Sequence, residues 1–233
     1  MRFKIITIFP DFFSSPLRYG VLARAIKNGI INVDIYNLRD YTDDVHKTVD
    51  DRPFGGGPGM VMMVEPIWRA VESLKTAESK VLLLSASGKL FDQKMAKNLA
   101  REEELILICG RYEGVDERVA EHIADLEVSI GNFVLSGGEV AALVIIETIA
   151  RLIPGVVGKE DSLETESFSG GLLEHPQYTR PRDFRGMRVP DVLFSGNHGK
   201  IKEWRKKAAM EKTMKNRPDL IKKERKDGSN KRN

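Results

Sequence analysis

The segment Leu105-Ile106-Leu107-Ile108-Cys109-Gly110-Arg111-Tyr112-Glu113-Gly114 sets an unbroken apolar run directly against a glycine-bounded polar loop. An apolar run without alternation suits a strand buried on both faces, as in a parallel sheet covered by helices. The same grammar repeats outward from it. Phe3 to Phe9, Ile31 to Tyr36, Val81 to Ser85 and Leu126 to Ile130 read as further strands. Leu17 to Lys27, Pro66 to Leu74, Gln93 to Arg101 and Val115 to Ile123 have helical spacing. Strands alternating with helices predict an α/β domain around a parallel sheet. Gly138 to Ile153 predicts a long helix, apolar nearly all the way round and ended by Pro154-Gly155, which is expected to be buried in the core or against another subunit.

The composition, 41% hydrophobic and 30% charged over 233 residues, is ordinary for a globular chain. The one cysteine, Cys109, lies inside an apolar run and reads as a small buried hydrophobe, which fits a reducing compartment. No stretch approaches 18 uncharged apolar residues, and the apolar start is too short for a signal peptide. A cytoplasmic protein with no membrane segment is expected. The net charge of +3 conceals an asymmetry: residues 198 to 233 hold 14 Lys and Arg against 5 Asp and Glu, while residues 1 to 197 hold 23 against 29. A basic end on an acidic body suits contact with nucleic acid, because Lys and Arg release phosphate counterions, and it equally suits a solubilising terminus.

After Gly158 the sequence turns polar and aperiodic through Lys159 to Ser167, which reads as a linker. Pro176, Pro181 and Pro190 punctuate a loop-rich segment that leads to helical pieces over Ile201 to Lys215, with Trp204 as an apolar anchor, and over Pro218 to Lys226. The expected organisation is a domain over 1–158, a linker over 159–168 that is disordered without an RNA partner, and a basic helical domain over 169–233.

Phosphate-loop, Cys-x-x-Cys, His-Glu-x-x-His and nucleophile-elbow patterns are all missing, as is a Gly-x-Gly-x-x-Gly after the first strand. Kinase, zinc hydrolase, serine hydrolase and Rossmann-type readings are thereby disfavoured. Three glycine-bearing loops follow strands instead: Ser85-Ala86-Ser87-Gly88, Gly110 to Gly114, and Ile130 to Gly138. Ligands of parallel sheets bind beyond the carboxyl ends of strands, where glycine admits close approach of the backbone to a flat ligand. Each loop alone is compatible with an ordinary strand-to-helix turn; their joint placement favours one pocket. The stretch His46 to Met60 packs charges and four glycines into fifteen residues, as a substrate-closing loop or an idle tip would. By spacing alone, Arg151 suits a helix C-terminus and Glu166 a solvated surface.

Six segments together resemble the bacterial tRNA (guanine-37-N1)-methyltransferase family over essentially the whole chain: TVDDRPFGGGPGM from Thr48, LICGRYEGVDERV from Leu107, SIGNFVLSGGE from Ser129, IPGVVG from Ile153, GLLEHPQYTRP from Gly171 and VLFSGNHG from Val192. The resemblance implies a SPOUT fold, an α/β parallel sheet with a deep C-terminal trefoil knot followed by a small helical domain. It also implies a homodimer with sites at the subunit interface. The implied cofactor is S-adenosylmethionine, held by Leu84, Ser85, Ala86, Ser87, Gly110, Glu113, Ile130, Gly131, Asn132, Phe133, Val134, Leu135, Gly137 and Gly138. Arg151 is expected to steady charge on guanine O6, and the general base falls on Glu166, where the family motif carries aspartate before Ser-Phe; Asp161 is the substitute. Substrate tRNA, with guanine at position 37, is expected on His46, Asp50, Arg52, Ser167, Arg180, Arg205 and Lys206. The family also responds to magnesium, for which no carboxylate cluster of evident spacing stands in the sequence. Two other functions compete: an RNA-binding module with a silent cofactor pocket, and a SPOUT enzyme modifying another RNA position.

Overall fold

Every residue of β6 (Glu104–Cys109) is buried, as its unbroken apolar run demands. It lies mid-sheet between β1 (Arg2–Thr7) and β5 (Ser79–Leu90), with β2 (Asn32–Asn37) beyond β1 and β7 (Leu126–Ser129) beyond β5. All four pairings are parallel. The computed structural model describes residues 1–157 and 166–221. The chain divides into two units, Met1–Gly158 and Lys159–Asn233. Most of the expected linker, Asp161 included, and the basic tail from residue 222 lie outside the described residues.

Side-chain alternation along the strands fills two cores. Phe3, Ile5, Leu82, Leu84, Leu105 and Leu107 face α1 (Gly20–Lys27), α3 (Gln93–Leu99) and α5 (Glu139–Ala150). Ile6, Val81, Leu83, Ile106 and Ile108 face α2 (Val64–Leu74) and α4 (Glu117–His122). Each such aliphatic side chain contributes roughly 1.5–3 kcal/mol by leaving water. Asp92 and Asp116 cap α3 and α4, accepting from the backbone N–H of Met95 and Arg118.

The structure departs from the sequence expectations in two places. The helix expected over Leu17 to Lys27 is divided: Pro16–Arg18 form a 3-10 turn, and α1 starts only at Gly20, whose φ of 67° lies in the left-handed region. Ser85 to Gly88 are not a turn into a helix. They belong to β5 itself, where the register against β7 shifts so that Leu84 and Lys89 both partner Val128, and a Cβ on Gly88 would collide with the Val128 backbone. Along α5, Ala142, Ile145, Ile146 and Ile149 are fully buried in the core, while Val140 and Val144 stay 45% and 41% exposed on this chain.

In the second unit, α6 (His198–Asn216) is capped by Asn197, whose side chain accepts from Lys200 N–H. Residues 218–221 are also helical. A hairpin of β8 (Asp183–Phe184) and β9 (Met187–Arg188) turns through Arg185 and Gly186, both at positive φ, the mirror-image turn that matches strand twist. Thr213, fully buried, accepts from Leu173 N–H at 2.9 Å and so ties α6 to the loop-rich segment.

At the entry to the main sheet, the Glu104 carboxylate takes the Lys4 ammonium at 2.8 Å and the Ser79 hydroxyl, with Arg2 3.8 Å away. Burial alone would raise its pKa, but the Lys4 and Ser79 hydrogen bonds and the two cations outweigh it, and the carboxyl is held below its ordinary value of 4.5. A depressed folded pKa means the stabilisation is complete above the ordinary carboxylate value and is lost as pH falls through the lower folded value. Glu104→Gln should therefore flatten the acid limb of stability below pH 4.5, read as urea midpoints across pH; an unchanged acid limb would place the sensitive carboxylate elsewhere.

Candidate active site

Because β5, β6 and β7 run parallel, the segments that leave their carboxyl ends emerge on one edge of the sheet. There Leu84 to Ser87, Gly110 to Val115 and Ile130 with Gly131 and Phe133 to Gly138 line a single cleft of about 300 Å³. Of the expected cofactor residues, Asn132 alone does not line it. The lining mixes glycines and apolar residues with polar ones, among them the acidic Glu113, Glu117 and Glu127. Its glycines are structural requirements. A Cβ on Gly138 would lie 2.8 Å from Cys109 Cα, and one on Gly137 would collide with the Arg111 side chain. Gly138 N–H donates to Gly110 C=O at 2.9 Å, stitching the two loops together.

Beneath the cleft lies a closed polar network. Glu139, fully buried at the first position of α5, accepts from Thr7 Oγ1 at 2.8 Å on one oxygen and from Arg111 Nε and Nη2 at 2.9 and 2.8 Å on the other. Arg111 also donates to Ser136 C=O at 3.2 Å and lies 4.6 Å from the centroid of the Phe9 ring. A carboxylate leading a helix is favoured by the helix dipole, and the guanidinium neutralises the buried charge. Beside it, burial first and the Glu139 charge second push the Cys109 thiol well above its usual range, so this cysteine is an inert core residue.

The polar loop from His46 to Met60 is joined to this cleft through backbone. Gly55, Gly56, Gly57 and Gly59 all take positive φ, which explains the glycine run. β3 (Asp50–Asp51) pairs antiparallel with β4 (Val61–Met62). Glu113 N–H donates to Met60 C=O, Met62 N–H to Gly114 C=O and Asp116 N–H to Met62 C=O. Burial, then the neighbouring Asp50 carboxylate, raises the Tyr112 phenol. His46 and Arg52 stand exposed on the loop.

Arg151 is the C-cap of α5, its N–H donating to Glu147 C=O at 3.1 Å. In the second unit, Glu166 C=O accepts from Ser169 N–H and Oγ, and Ser167 Oγ accepts from Glu174 N–H. Arg180 and Arg205 line a separate cavity there, and Lys206 is exposed on α6.

Residues 1–223 match the family model described as tRNA (Guanine-1)-methyltransferase TrmD. The chain belongs to the tRNA (guanine-1)-methyltransferase family. The resemblance carried by the six sequence motifs is thereby borne out. Similar relatives named tRNA (guanine-N(1)-)-methyltransferase come from Dictyoglomus turgidum, 56% identical over 223 residues covering 96% of this chain and 91% of the relative; from Carboxydothermus hydrogenoformans, 53% over 222 residues covering 95% and 88%; and from Listeria innocua, 49% over 226 residues covering 95% and 92%.

For a member of the tRNA (guanine-1)-methyltransferase family, the cleft-forming residues that sequence reasoning passed over are Thr7, Arg111 and Glu139. One signal was available: Glu139 is an acidic residue opening an otherwise apolar helix, a position that burial punishes unless a cation waits there. Removing one partner of such a pair exposes the cost of the other. Arg111→Ala leaves Glu139 buried without its cation and should destabilise the chain by about 3–5 kcal/mol. Glu139→Gln keeps an acceptor and should cost less, about 1–3 kcal/mol. Urea unfolding of the two variants tests the ranking; the reverse order would mean that the guanidinium, not the carboxylate, is the group that burial strands.

Proposed function

We propose that this chain transfers the methyl group of S-adenosylmethionine to N1 of guanine 37 in the anticodon loop of tRNA, working in the cytoplasm as a homodimer. The observation that carries the reading is the convergence of the irregular stretch of β5 and the segments after β6 and β7 on one cleft, in a chain that matches the family from residue 1 to 223. The cleft fits the cofactor. Its glycines Gly110, Gly114, Gly131, Gly137 and Gly138 suit the close approach of an adenine, its apolar lining from Leu84, Ile130, Leu135 and Ala141 suits a flat ring, and the acidic Glu113, Glu117 and Glu127 suit a cationic sulfonium. When bound, S-adenosylmethionine supplies a methyl group already activated by the sulfonium, whose bond electrons leave with sulfur.

The protein's own work is then positioning and proton removal. Glu166 is proposed to take the N1 proton of guanine, so that the ring nitrogen attacks as its conjugate base. Arg151, at the end of α5, is proposed to face the guanine O6, where negative charge collects as that proton leaves. A guanine inside an anticodon loop can leave its stack at modest cost, which suits a base-accepting cleft. The tRNA is proposed to lie on His46, Asp50, Arg52, Ser167, Arg180, Arg205 and Lys206. Exposed Val140 and Val144, one turn apart on α5, give a second subunit an apolar surface to cover. The return of residues 130–138 across the ends of β5 and β6, with Gly138 pressed against Cys109, supports a SPOUT fold with its trefoil knot. Magnesium is assigned no residues; among the described residues no three His, Cys, Asp or Glu cluster to hold an ion. No helix among them is long and apolar enough to cross a membrane.

Methyl transfer from labelled S-adenosylmethionine to a guanine-37 transcript tests the reading. Glu166→Gln should lose roughly 10²–10⁴ in rate while still binding cofactor, Arg151→Ala should also lose transfer, and a transcript with adenine 37 should accept nothing. Equal transfer by Glu166→Gln and wild type would remove Glu166 as the base, and labelling of the adenine-37 transcript would remove position 37 as the target.

A further inference from the structure

The second unit contains a cavity of about 350 Å³ that the transfer chemistry does not use. Its walls are aromatic: Trp204 from α6, Tyr178 and His175 from the loop-rich segment, and Phe194 from the 3-10 turn Asp191–Phe194. The His175 and Tyr178 rings meet Trp204 at centroid distances of 6.4 and 6.3 Å with interplanar angles of 61° and 51°. Neither ring lies parallel to the indole. The Arg182 guanidinium lies 3.6 Å from the Phe194 ring centroid, so it is held as a second flat surface. His175 Nδ1 lies 3.2 Å from Pro176 C=O, which can only accept, so the neutral ring carries its proton there and leaves Nε2 as an acceptor.

The charge around these rings is of one sign. Arg180, Arg182 and Arg205 line the cavity, and no Asp or Glu does. Across residues 166–221 there are twelve Lys and Arg against seven Asp and Glu. An apolar side chain of a protein partner would gain nothing from three arginines, whereas an unpaired nucleotide brings both a π-face for the aromatic walls and a phosphate for the guanidinium groups. We infer that this cavity is a stacking pocket for one unpaired nucleobase of the RNA, with Trp204 as its platform and Arg180 and Arg205 on the flanking phosphates. The inference rests on the reading of the chain as an enzyme acting on tRNA, and it adds an anchoring point separate from the base that is methylated. Tyr178 and Phe194, 49% and 44% exposed, leave the rings accessible from solvent.

The chain holds two tryptophans, so Trp68→Phe in the full-length protein leaves Trp204 as the sole indole emitter. Titration with the guanine-37 tRNA transcript should lower that emission at least about two-fold, in step with binding followed by filter retention, because a stacked base quenches indole. Trp204→Ala should weaken tRNA binding by roughly five- to one-hundred-fold with the salt slope unchanged, and Trp204→Phe should restore most of the affinity. Arg205→Ala should instead reduce the salt slope by about one. Unquenched Trp204 at saturating tRNA overturns the pocket, as does wild-type affinity in Trp204→Ala; this is also the result expected of a cavity that takes a protein side chain. If Trp204→Ala fails to fold, the emission of the Trp68→Phe protein still decides. Methyl transfer by that same protein reports separately on the catalytic reading: transfer with unquenched emission sinks the pocket alone, whereas neither transfer nor tRNA binding sinks both.

Discussion

Glu139 accepts a hydrogen bond from Thr7 at the end of β1 and two from Arg111 in the loop after β6, while its own backbone opens α5. Three segments distant in sequence are thus locked at one buried carboxylate. A charge in that position is tolerable only with its partners in place, so the network admits one arrangement of the loops above it and penalises the others. The cleft walls inherit this rigidity: Gly138 is bonded to Gly110, Gly137 lies under Arg111, and Ser136 supplies its carbonyl to the same guanidinium. The cleft's glycine loops are short of side chains with which to hold shape, and the network below holds them.

The two layers of helices follow from the strands. Alternating residues of β1, β5 and β6 feed separate cores, and β6 is buried on both faces because neighbours and helices cover it completely. That arrangement sends every strand end of the parallel set toward one edge, which brings the loops near one another before the Glu139 network locks them.

Much of this was legible in advance. The uninterrupted run from Leu105 to Cys109 could hardly be anything but a central strand, and the glycine loops after it were placed correctly because parallel strands leave few alternatives. The failures have identifiable causes. Ser85 to Gly88 carry small polar residues that mimic a turn, yet they continue β5 because Gly88 lets the Val128 backbone close in, a fact about a neighbour 40 positions away. Gly20 at positive φ cut a helix that periodicity alone ran through. The partnership of Thr7, Arg111 and Glu139 spans the sheet, and pairings of that separation leave no local pattern to read. The roles proposed for Arg151 and Glu166 came from family resemblance, since a helix-end arginine and a polar-segment glutamate carry no chemical signal of their own.

The three backbone bonds that join residues 60–62 to residues 113–116 have a mechanical meaning. The polar loop carrying His46, Asp50 and Arg52 and the loop that walls the cleft are joined into one body by these bonds. Neither can be displaced without carrying the other. Any ligand whose binding shifts residues 113–116 acts on residues 60–62 through these bonds, and by linkage the reverse holds to the same free energy.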